Sequence, residues 1–210
     1  MQEENTKKYR KTVVYDMTYT NSPLVDYTQI SPHRGSRNGH AIDTITIHCA
    51  AAQAAVETLG RLFQTKQASA NYGIGADGRV GMYVEEKDRS WCTSNNANDA
   101  RAVTIEVACD NRHPYAVKDA VYKKLIALVA DVCKRNGIAK LVWSTDKYDR
   151  MNHKGGCNMT VHRDYENKAC PGQWLYDRHG QIAAEVNKIL EDEDMVRWAK
   201  LDDIPEGYRA

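Results

Sequence analysis

The stretch Ile42-Asp43-Thr44-Ile45-Thr46-Ile47-His48 alternates apolar and polar side chains and is rich in β-branched residues. That is the pattern of a sheet strand with one face turned to a core. It ends on a histidine, which places an imidazole at the mouth of the sheet. Outward from this strand, Val56, Leu59, Leu62 and Phe63 recur at helical spacing, and NYGIGADGRVGMYV (71–84) carries Asp77-Gly78 between two alternating runs, the signal of a β-hairpin. Ala102 to Cys109 is apolar enough for a central strand, interrupted by Glu106. Val117, Val121, Leu125, Leu128, Val129 and Val132 mark one face of a helix over 117–135 that Gly137 can end in the left-handed region.

Trp91 to Ala100 (WCTSNNANDA) reads as a polar loop, followed much later by a short Leu141-Val142-Trp143 segment and the glycine-containing loop HKGGCN (153–158). Met159 to His162 reads as a brief strand that again ends on histidine, and Trp174 to Leu190 as an amphipathic helix. Strands alternating with helices, plus a hairpin, predict an α/β single domain with a central mixed β-sheet flanked by helices. The domain is expected over 41–190. Residues 1–40 form an N-terminal arm packed on it, in which VDYTQISP (25–32) can add an edge strand. Residues 191–210 form a C-terminal tail, too short to fold alone.

Composition narrows the function. With 42% hydrophobic and 27% charged residues, and Gly 13 and Pro 5 of 210, the chain has the make-up of a globular domain with a packed core. No apolar run approaches the roughly 18–20 residues of a bilayer crossing, so membrane insertion is not expected. Lys and Arg number 29 against 28 Asp and Glu, a net charge of +1 with no basic stripe, so nucleic acid is not expected as a partner. Six cysteines lie scattered with no CxxC pair, which predicts thiols and not a disulfide framework. The first ten residues, MQEENTKKYR, precede no apolar stretch of a secretory signal. A protein made in the cytoplasm without such a leader is the expectation.

The chemistry gathers at the two strand-end histidines. Eight residues after His162 comes Cys170, followed by Pro171-Gly172, which turns the chain and can return the thiol to the strand mouth. Two imidazoles and a thiolate make a three-ligand zinc set with a fourth position for water, the arrangement of catalytic sites. The other reading is two hydrogen-bonded histidines and a buried thiol. His33, His40, His113, His153 and His179 fit no ligand spacing and read as surface or capping residues, with substrate contact open for His153.

At these residues the sequence resembles a known family. The strand ending ITIHC (45–49), the hairpin SANYGIGADGRV (69–80), the strand RAVTIEVACD (101–110) and above all TVHRDYENKACPG (160–172) are similar to the type 2 N-acetylmuramoyl-L-alanine amidases, whose fold the peptidoglycan recognition proteins share. The similarity runs from about Asp43 to Leu190. It implies a single catalytic Zn2+ on His48, His162 and Cys170, peptidoglycan as partner, and hydrolysis of the amide between N-acetylmuramic acid and L-alanine. A zinc in such a set lowers the pKa of its water to about 7.

Two further groups fit the chemistry. Glu106 lies in an apolar strand, where burial raises a carboxyl pKa toward the range of a general base. Lys168, two residues before Cys170, projects to the same side if the segment is extended, and a lysine at the matching family position stabilises the oxyanion. Trp91 and Tyr72 are the candidates for lining the substrate groove. Many relatives have a catalytic tyrosine where this chain has Ala70, which shifts weight to Glu106, and often Trp-His where it has Trp91-Cys92. Cys92 receives no role. The resemblance points to a phage or prophage endolysin, or an autolysin, acting at the bacterial cell wall after release through a holin-formed hole or another non-Sec route. The alternatives are a non-catalytic peptidoglycan-binding module of the same fold and a protein in which zinc only staples the structure.

Overall fold

The computed structural model describes residues 20–202, with side chains through 192. Its strands are β1 (Tyr27–Thr28), β2 (Arg34–Ser36), β3 (Thr44–Cys49), β4 (Tyr72–Ile74), β5 (Val80–Met82), β6 (Asp88–Ser90), β7 (Ala102–Val107) and β8 (Met159–Thr160). Its helices are α1 (Val56–Thr65), α2 (Asn96–Arg101), α3 (Asp119–Arg135), α4 (Lys147–Met151), α5 (Gln173–Tyr176) and α6 (His179–Asp202). Six strands form one mixed sheet in the order β1-β5-β4-β7-β3-β8, in which only β4 and β5 run antiparallel, and β2 pairs with β6 in a separate ribbon. This is the expected α/β architecture.

Parity along the strands sorts the two faces. Ile45 and Ile47 of β3 lie beside Val103 and Ile105 of β7, and Tyr72 of β4 beside Ile105. This face packs on Val121, Leu125, Leu128 and Val129 of α3 and on Ile182 and Val186 of α6, all fully buried. The opposite face carries Thr46 and His48 beside Thr104 and Glu106, with Thr160 beside Thr46 and Gly73 beside Glu106. Helix α1 covers part of it: Leu59 and Phe63 cluster with Tyr83 and Ala70, and a Cβ on Gly73 would meet Tyr83 and Leu59 within 3 Å. One face is an apolar core, and the other is a polar row ending on a histidine and a glutamate.

The hairpin turns at Asp77-Gly78, where Gly78 takes φ +83° and the Asp77 carboxylate accepts the Arg79 backbone N–H. Helix α3 covers the expected span from Asp119 to Arg135, with Val117 just ahead of its start, and Gly137 beyond it has φ +69°. Strand β1 is the edge strand expected within 25–32, pairing parallel with β5. Residues 1–19 of the arm and 203–210 of the tail lie outside the described residues.

In the Leu141-Val142-Trp143 segment the side chains of Asn187 and Asn158 accept the Leu141 and Val142 N–H groups. Three local expectations need correction. Trp91 to Ala100 is not all loop, because Asn95 accepts the backbone N–H of Asn98 and starts α2. The 174–190 helix is two helices, α5 and α6, and α6 runs on past Leu190 to Asp202. Strand β8 stops at Thr160, so His162 opens a 3-10 turn (His162–Asp164) one residue beyond extended Val161.

Candidate metal centre

Three chain segments converge at the end of β3. His48 is fully buried in the strand, and its position is fixed by pairing with Glu106 of β7. His162 reaches it from the 3-10 turn after β8, with ring centroids 5.1 Å apart. Cys170 returns on the following loop, which Arg163 closes: its N–H donates to the Cys170 carbonyl at 3.2 Å and its Nη2 to the Ala169 carbonyl at 2.7 Å. The turn after Cys170 depends on Gly172, at φ +80°, where a Cβ would stand 2.6 Å from the Tyr115 side chain. Sγ of Cys170 lies 3.3 Å from Nδ1 of His48 and accepts the Cys49 N–H at 3.4 Å.

One ligand atom from each of His48, His162 and Cys170 lies within 4.8 Å of the others. Both histidines have a buried Nε2 with no hydrogen-bond partner. Burial holds the His48 pKa down, to about 3, and also lowers that of His162. Both rings are therefore neutral near pH 7 and offer lone pairs. Two neutral imidazoles and a thiol at this separation fit a zinc ion with an open position.

The trio lines a cleft of about 340 Å³, together with Glu106, Lys168, Trp91 and Cys92. Glu106 is half-buried beside His48, and desolvation raises its pKa to about 8. Lys168 is exposed on the Cys170 loop. Trp91 is 38% exposed, with the His33 ring 5.5 Å away. Leu59, Leu62 and Phe63 of α1 give the cleft an apolar wall.

Tyr72 does not belong to this group. It is fully buried on the core face, opposite in parity to Glu106, and its hydroxyl donates to Glu86 at 2.6 Å and accepts the Ser22 N–H. A groove-lining role for Tyr72 is corrected on that ground. His179 is also corrected: it is neither surface nor cap but fully buried, with Nδ1 2.7 Å from the Leu175 carbonyl and its ring 4.5 Å from Trp143. His153 faces the Cys157 carbonyl and is not among the cleft residues.

Sequence reasoning missed the supports beneath the cleft. Asn98 of α2 donates to Thr46 and accepts from Thr160 and Tyr165, and Thr46 and Thr160 are hydrogen-bonded to each other at 2.7 Å. Asp99 accepts the backbone N–H groups of Cys92 and Thr93, which fixes the Trp91-Cys92 loop. The signal was in the sequence: an Asn95 cap followed by Asn98 and Asp99, opposite a row of threonines. The polar strand face needed a polar cover, and α2 supplies it.

Comparison with known proteins agrees with this architecture. The sequence profile of the family described as N-acetylmuramoyl-L-alanine amidase matches residues 38–173. Among curated protein sequences none matches the chain. Among solved structures, a selenomethionine derivative of AmpD is similar at 18% identity with a TM-score of 0.56, covering 77% of this chain and 96% of that one. An endolysin N-acetylmuramoyl-L-alanine amidase, LysCS, from Clostridium intestinale has 18% identity and a TM-score of 0.55, covering 78% and 93%. A mutant endolysin from Bacillus subtilis has 16% identity and a TM-score of 0.54, covering 78% and 99%. These likenesses show the shared fold, and the profile match over well more than half of the chain shows that it belongs to the N-acetylmuramoyl-L-alanine amidase family.

Proposed function

We propose that this protein is a zinc-dependent hydrolase of the amide bond between N-acetylmuramic acid and L-alanine in peptidoglycan. The observation that carries the reading is the convergence of His48, His162 and Cys170 in a cleft that also presents Glu106 and Lys168. Bound there, zinc acts as a Lewis acid toward a carbonyl and lowers the pKa of a water.

The chain's own groups do the rest. Glu106 accepts a proton from the attacking water and returns it to the departing amine nitrogen. The Lys168 ammonium compensates the charge that grows on the carbonyl oxygen. The Trp91 ring and the apolar wall from α1 hold the substrate and exclude water. Family membership and the endolysin neighbours support a role in cell-wall lysis of the phage or prophage endolysin kind, with the bacterial cell wall as site of action.

Digestion of purified walls tests the reading. The expected products are free α-amino groups on L-alanine with no new reducing sugar ends. Reducing ends without amines would mean a glycosidase, which needs a carboxylate pair flanking the bond. Wall binding with neither product would make the protein a binding module.

A further inference from the structure

The cleft contains a second group of metal-ligating atoms. His48, Cys92 and Glu106 each bring one within 4.8 Å of the other two, and His48 is common to this set and the first. Cys92 and Glu106 belong to the second set alone. Both are firmly placed: Glu106 by its register opposite His48 in β7, and Cys92 by the hydrogen bonds of its own and the Thr93 N–H to Asp99. A thiolate, a carboxylate and an imidazole suit zinc and other thiophilic divalent cations. A ring nitrogen ligates one cation at a time, so with His48 on the first cation a second rests on the Cys92 thiolate and the Glu106 carboxylate, with water at its remaining positions.

We propose that the cleft takes a second thiophilic divalent cation, on Cys92 and Glu106 beside His48, and that its binding stops hydrolysis. The inhibitory part rests on the role given to Glu106 above: a carboxylate that ligates a cation no longer accepts a proton. The second cation has two protein ligands of its own against three for the first, so it binds at higher zinc concentration. Activity therefore rises and then falls as zinc is added.

Equilibrium dialysis of the full chain against graded Zn2+, with metal analysis, tests this directly. Two zinc ions per chain are expected at saturation, one tight and one weak. Cys92→Ala and Cys92→Ser should each saturate at one, and Glu106→Gln should weaken the second at least tenfold while the first is unchanged. With Cd2+, the ultraviolet thiolate charge-transfer band of the wild type should exceed that of Cys92→Ala by one thiolate. Wall hydrolysis, scaled to each protein's own maximum, should fall at excess zinc in the wild type and stay level in Cys92→Ser. Saturation of the wild type at one zinc overturns the proposal, and so does a second zinc that persists in both Cys92 variants. One tight zinc with hydrolysis but no second zinc sinks this inference alone, whereas a chain that binds no zinc sinks the metal reading of both sites.

Discussion

Asp164, two residues beyond His162, is held by Arg150 in a buried two-point ion pair, with Nε and Nη2 each 2.7 Å from a carboxylate oxygen. Both side chains are nearly inaccessible, at 3% and 2% exposure. The guanidinium also lies over the Trp143 ring, 4.7 Å from its centroid, and donates to the Ser144 carbonyl. The turn that carries His162 is thus anchored to α4 and to the aromatic cluster behind it.

Removing one partner of such a pair leaves a buried charge uncompensated. Arg150→Ala or Asp164→Asn should cost about 3–5 kcal/mol in denaturant unfolding. Replacing both by apolar residues of similar volume should cost much less than the sum of the two. Zinc affinity should fall with stability in the single variants, by on the order of 10–100-fold, as for other groups that orient a ligand. An unchanged unfolding midpoint in Arg150→Ala would show that the pair holds nothing in place.

Cys170→Ser should lose zinc by more than the 10–100-fold typical of outer-shell changes, because a neutral hydroxyl is a poor ligand. Cys170→Asp should retain more of it, since a carboxylate is an accepted ligand. Metal analysis after dialysis against a weak chelator reads the difference. Strong chelation should abolish hydrolysis in the wild type.

Glu106→Gln should lower turnover by about 10²–10⁴-fold, the range of a lost general acid or base, with zinc content intact. Lys168→Met should act similarly on turnover with little effect on folding, as its side chain is exposed. In the metal-free protein the carboxyl of Glu106 has its folded pKa raised to about 8 from an ordinary value of 4.5, by burial. Its contribution to stability is full below about 4.5 and is lost as pH rises toward 8. Metal-free Glu106→Gln should therefore resist that loss, and parallel melts at pH 5 and pH 8 would show it.

His179 sets an acid limit of the opposite sense. Its burial lowers the pKa from 6.5 to about 4, so between these values the unfolded chain takes up a proton that the folded chain does not. The contribution is intact above about pH 6.5 and is lost as pH falls toward 4, on the order of 3 kcal/mol across the window. His179→Gln, which keeps a donor for the Leu175 carbonyl, should flatten the unfolding free energy over that range relative to the wild type. Parallel curves for the two proteins would count against the assignment.

Local pattern determined a large part of this protein. The alternation of Thr44 to His48 and of Thr104 to Val107 placed His48 and Glu106 on strands, because side-chain direction in a strand has a period of two and is written in adjacent residues. The Asp77-Gly78 turn and the helix before Gly137 were legible for the same reason: their energetics are settled within a few residues. The spacing from His162 to Cys170 suggested the ligand trio. Tertiary structure alone decided what lies against what. Tyr72 and Glu106 come from neighbouring strands, yet one faces the apolar core and the other the cleft, a difference of register that hairpin composition does not encode. Cys92 enters the cleft through the hold of Asp99 on its loop, and Arg150 finds Asp164 from 14 residues away. Such contacts depend on long-range packing and on the need of buried polar groups for partners, which no short stretch of the chain specifies.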